Sequence, residues 1–166
     1  MSLHALPDHA RLWLVALAAR PDAAAETQLR QGLLEILAQW RHKGQAYQAA
    51  FDLLEPQLIA VAEPNLAAHP SGCAIDGMLR KLRRLAEQLR LELVDGERNL
   101  LVRQGDRLVA IPKDEIQACL EQGRLAPATP VLDLSLYSLA ELRAGRLEGP
   151  LARTWVGRKF KIALEA

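Results

Sequence analysis

At 166 residues, half hydrophobic and a quarter charged, the chain has the balance of one globular unit with a buried core and room for a small appendage. Aromatics make up only 4%, so the core has to rest on Leu, Ala, Val and Ile. A net charge of +1 argues against bulk nucleic acid or an anionic membrane as the dominant partner, and two cysteines build neither a disulfide framework nor a zinc site.

Residues 1–10 read as a tail. Arg11 then precedes the apolar run from Leu12 to Ala19, which suits a buried first strand better than a secretory signal, because Asp8 breaks the basic start. Leu29, Leu33, Ile36, Leu37 and Trp40 recur at helical spacing, so residues 24–41 are expected to form a helix that stops at Gly44. Residues 46–54 and 57–62 read as two strands joined through Glu55-Pro56. After a loop with two prolines, Ile75, Met78, Leu79, Leu82, Leu85, Ala86 and Leu89 mark the clearest helix of the chain. Residues 91–94 look like a strand stopped by Asp95-Gly96. The order over residues 11–95 is therefore strand, helix, strand, strand, helix, strand. That is the ferredoxin-like (βαββαβ) order of an α+β protein, with another two-layer α+β connectivity as the competing arrangement.

Residues 96–166 form a C-terminal α+β extension expected to pack on this core as a single unit. Residues 100–103 and 107–111 flank Gln104-Gly105-Asp106, a hairpin signal. Pro112 and Asp114-Glu115 open a short helix with Ile116, Cys119 and Leu120 on its buried side. A strand at 131–132 follows, and Ser138 with Glu141 has capping-box spacing for another short helix.

Chemistry concentrates in Ser71-Gly72-Cys73-Ala74-Ile75-Asp76, at the expected start of the best helix. Free N–H groups and the positive dipole end there stabilise anions and acidify thiols. Ser71, Gly72, Cys73 and Asp76 are thus a candidate anion site. Alternatively Cys73 is a nucleophile, Asp76 shapes its pocket, and His69 is the nearest base. The plainer account is a capped helix with a small residue packed under a loop. Gly72 and Gly77 imitate P-loop spacing, but Met78 and Leu79 stand where Lys and Ser or Thr are required, which excludes that ATPase chemistry. Arg80, Lys81, Arg83 and Arg84 give the helix spanning 75–90 a basic side that either contacts nucleic acid or is simply solvated. The histidines have no ligand spacing, so neither a metal nor a cofactor is expected.

The chain resembles a bacterial protein family of similar length to which no activity is attached. The resemblance rests on Arg11-Leu12-Trp13, Trp40 with Gly44, the Ser-Gly-Cys-Ala-Ile-Asp block, Ile111-Pro112, and Pro150-Leu151 through Trp155. Members read Ser-Gly-Cys-Ser-Ile-Asp in the central block, so Ala74 lacks a hydroxyl present there. Some members carry an ABC-transporter ATPase label, which the missing P-loop lysine does not support. The resemblance implies a shared fold and a shared site around Cys73.

The reading that follows is a small cytoplasmic binding or interaction module. Its expected partner is a second copy of the chain or another protein; membranes are not expected, and nucleic acid is disfavoured.

Overall fold

In β1 (Arg11–Ala16), Leu12, Leu14 and Ala16 are buried while Arg11, Trp13 and Val15 are half-buried, so the strand presents two covered faces of different kinds. The computed structural model describes residues 2–42, 44–64 and 72–163. Helix α1 (Ala23–Ala38) starts where the Asp22 carboxylate accepts the Ala25 N–H at 2.7 Å, and it buries Leu29, Leu33 and Leu37. It ends before the expected residue 41. Arg41–His42 (β2) instead pairs with Gln45–Ala46 (β3) around Gly44, whose φ of +83° suits only glycine without strain. The strand expected at 46–54 is thereby cut, and β4 covers only Ala50–Glu55.

β4 and β5 (Leu58–Glu63) form a hairpin, and the first sheet has the antiparallel order β1-β5-β4. Helix α2 (Gly72–Gln88) buries Met78, Leu82 and Ala86 and lies close to α1: a Cβ on Gly32 would sit 2.5 Å from the Leu85 methyls. The fourth strand expected at 91–94 does not form. That segment makes one antiparallel bridge, Leu17 to Leu93, before Asp95 caps the Glu97 N–H at 2.9 Å and turns the chain away. The sheet therefore has three strands.

The second sheet has the order β7-β6-β8-β9, built from β6 (Asn99–Gln104), β7 (Arg107–Pro112), β8 (Pro130–Leu132) and β9 (Glu148–Pro150). Short helices α3 (Ile116–Glu121), α4 (Leu139–Arg143) and α5 (Trp155–Phe160) accompany it. The expected capping box is present: Ser138 caps the Glu141 N–H and Glu141 reaches back.

Three apolar clusters stack these layers. The first sheet meets α1 and α2 through Ile59, Val61, Leu33 and Leu82. Its opposite face meets the second sheet through Leu12, Leu14, Ala60, Ala62, Leu101, Leu108 and Leu132. The far face of the second sheet carries α3 and α5 through Leu100, Val102, Ile116, Cys119 and Val156. Alternation along β6 sends Leu101 one way and Leu100 and Val102 the other. The molecule is thus an α+β protein with both faces of its first sheet covered. The residues expected as a tail are docked: Leu3 and Leu6 are buried, and the Arg143 guanidinium pairs with Asp8 and donates to the Leu3 and Leu6 carbonyls at 3.1 and 2.9 Å.

Two polar devices join the sheets. The buried Gln57 amide donates to the Leu17 and Leu108 carbonyls at 3.1 and 2.9 Å, and its own oxygen accepts the Leu108 N–H at 3.1 Å. Arg103 lies between Glu55 and Glu148, whose hydrogen bonds raise its already high pKa further.

Candidate functional site

Helix α2 begins at Gly72, three residues before the expected Ile75. Cys73 consequently lies within the first turn instead of capping it, and no acidic residue occupies that turn, so Asp76 sits in the second. Gly72, Cys73 and Asp76 are all exposed. Ser71 and His69 lie outside the described residues. The first turn is anchored from outside the helix: the Trp40 indole N–H donates to the Ala74 carbonyl at 3.0 Å. Trp40 itself stacks edge-on against Trp13 (centroids 5.5 Å) and lies 4.8 Å from Tyr47. Burial, with the neighbouring Glu63 carboxylate second, raises the Tyr47 phenol above its ordinary pKa. Glu63 is itself buried, at 4% exposure, a position that alternation within an apolar strand did not reveal.

The expected basic side of α2 faces outward. Arg80, Lys81, Arg83 and Arg84 are exposed and make no ion pair among the described residues. Lys81 and Arg84 flank a shallow groove against Glu35 of α1, while Arg83 faces a cleft on the other flank of the helix. The sheet surface that a nucleic acid would need is occupied by the second sheet.

That cleft, about 1150 Å³, runs beside the free edge of β1. Its volume is slightly above that of pockets that enclose drug-sized ligands. The 91–97 segment, the 133–137 turn and Trp155 wall it in. Odd-numbered residues of β1 bond to β5, a series the Leu17 N–H continues to the Gln57 carbonyl at 2.8 Å; the even-numbered backbone groups point into the cleft. At one end the Leu12 N–H reaches the Tyr137 carbonyl (2.8 Å), and at the other the Val94 N–H reaches the Ala16 carbonyl (2.8 Å). Between them, the Leu14 N–H and C=O have no hydrogen-bond partner among the described residues.

Aromatic side chains and cations mark the rim. The Arg11 guanidinium lies 5.2 Å from the Trp13 ring and 4.8 Å from the Tyr137 ring, and the Lys113 ammonium lies 5.2 Å from Trp155. Tyr137 and Trp155 are 57% and 36% exposed, which is unusual for side chains this apolar. Tyr137 and Lys113 were not visible as site residues in the sequence: the signals beside them, the Ser138–Glu141 cap and the Pro112 helix start, mark helix ends and not a site. Among the described residues no cluster of His, Cys, Asp and Glu could hold a metal, and no helix is long and apolar enough to cross a membrane.

Protein-family models, curated proteins and solved structures were compared with the chain, and none of them matches it.

Proposed function

We propose that the protein is a binding module whose ligand occupies the cleft beside β1. One observation carries this reading: a strand edge with unsatisfied backbone groups opens into a half-open cleft rimmed by exposed aromatics under cations. Titrating the ¹⁵N-labelled chain with a small aromatic acid such as indole-3-acetate tests it. Amide shifts are expected at Leu12 to Val15, at Glu92 to Gly96 and at Tyr137. Shifts confined to residues 72–76 would move the site to the helix start, where the anion reading with Gly72 and Cys73 belongs; no shifts at all would end the reading.

A second reading, Cys73 as the nucleophile of a thiol enzyme, is favoured by the exposure of that side chain in the first turn of α2. A Cys73 pKa at or above that of a free thiol, about 8.5, would remove it; the control is Cys73→Ser. Contact with nucleic acid through Arg80, Lys81, Arg83 and Arg84 has less support, since the sheet surface that would complete such an interface is covered by the second sheet.

Finer aspects belong to the same proposal. The strand order and the bridge at Leu93 support a ferredoxin-like unit whose fourth strand is cut short. Cys73 and Cys119 are both free thiols, which supports a reducing, cytoplasmic setting. Kinship with the Ser-Gly-Cys-Ser-Ile-Asp family belongs to the proposal on the sequence blocks alone.

A further inference from the structure

The geometry points to a short extended peptide, bound by its C-terminal carboxylate, as the occupant of the β1 cleft; this rests on the cleft being the binding site. The free edge of β1 is covered at its two ends by different parts of the chain. Ser138 bridges Arg11, and Leu93 bridges Leu17, both antiparallel. Residues opposite Trp13, Leu14 and Val15 are missing, a gap of about 10 Å at strand spacing. Lining that gap are the Leu14 N–H and C=O, without a partner among the described residues, while Leu12 and Ala16 at its two ends already face Tyr137 and Val94. A donor and an acceptor on one residue of a strand edge are what the facing residue of an antiparallel peptide backbone completes.

Direction and charge identify which peptide. Segments 92–94 and 137–138 both run antiparallel to β1, from its Leu17 end toward its Arg11 end. A peptide filling the gap in line with them points its C-terminus at Arg11. The Arg11 guanidinium is held between the Trp13 and Tyr137 rings and has no acidic partner among the described residues. A cation already positioned and unpaired at that end complements a terminal carboxylate. Exposed Glu92 lies at the opposite end, where the amino side of the peptide would be. A chain terminus also suits a gap closed at both ends by protein, because the ligand chain stops there and need not pass through.

The test uses a pool of random tripeptides with free C-termini, matched to the three-residue gap, the same pool amidated, and the ¹⁵N-labelled full chain. The free-acid pool is expected to shift the Leu14 and Val15 amides, which line the cleft, and to slow hydrogen exchange at Leu14. Amidation should weaken binding roughly tenfold or more, the loss of one charge-assisted contact, and Arg11→Gln should erase the difference between the pools. Contrast between the pools on the unaltered chain decides the matter even if that variant folds poorly. Equal binding of both pools, or shifts that miss Leu14 and Val15, would overturn the proposal. Concentration-dependent dimerisation that perturbs those same amides would do so too, by assigning the edge to a second copy. If indole-3-acetate shifts the cleft amides and the peptides do not, the peptide inference fails while the cleft stands. If neither shifts them, both fail.

Discussion

The two faces of the first sheet are buried by different means. Toward the helices, Trp13, Val15, Ile59 and Val61 interdigitate with Leu29, Leu33, Trp40 and Leu82, and Tyr47 and Phe51 join them at the edges. Toward the second sheet, Ala16, Ala50, Ala60 and Ala62 alternate with Leu12, Leu14 and Leu58, and this cluster contains no aromatic residue among those described. A helix is a rounded partner that leaves gaps for large side chains to fill, whereas two sheets lie about 10 Å apart over their whole area. Alanines on one sheet make room for Leu101, Leu108 and Leu132 on the other. The few aromatics of the chain therefore go where curvature leaves space: under the helices and at the cleft rim.

The largest effect should come from breaking the helix side. Leu33→Ala empties a fully buried position, and a loss of about 2–5 kcal/mol is expected in urea denaturation. A loss well below that range would mean the helices settle into the hole, and the helix side would be the softer one. On the sheet side the damaging change is in the opposite direction. Ala60→Leu should cost about 1–3 kcal/mol by wedging the sheets apart, and a neutral result would reveal slack between them. Gln57→Leu tests the polar link between the layers in a comparable range. It leaves the Leu108 N–H and two carbonyls without their partner, at about 1–3 kcal/mol. The smallest effect concerns the corner that holds the cleft closed at Tyr137. The Tyr137 and Ser138 N–H groups donate to Glu141 and lower its pKa below the ordinary 4.5. A folded pKa below the unfolded one means that ionised Glu141 adds stability above that ordinary value, and that this is lost as pH falls through the folded pKa. A midpoint difference between the parent chain and Glu141→Gln should thus be present at neutral pH and close on acidification. A difference that persists in acid would assign the effect to packing.

Legibility in the sequence followed range. The β6–β7 hairpin was readable because its turn is local, with Gly105 at φ +62° between two apolar runs. The α4 cap was readable for the same reason, since Ser138 and Glu141 sit one turn apart. The start of α2 was misplaced by three residues because Gly72, Cys73 and Ala74 contribute little to the apolar periodicity. That turn is also bonded by an indole 34 positions earlier in the chain, which periodicity does not register. The motif around Cys73 was visible as a cluster of chemical groups, but not as a turn anchored by Trp40. Nothing local marked Tyr137, Arg11 and Leu14 as neighbours, because a bridge between residues 11 and 138 brings them together.

Taken by itself, the sequence determined the α+β class, most of the elements and the amphipathic faces of both long helices, all of which follow from spacing within a dozen residues. Tertiary structure decided the rest: that the second sheet covers the first, that the fourth strand is replaced by two partial bridges, and that a length of β1 edge faces a cleft. Those outcomes depend on which distant segments reach the same backbone groups, and a strand's periodicity is the same whether its edge is paired or open.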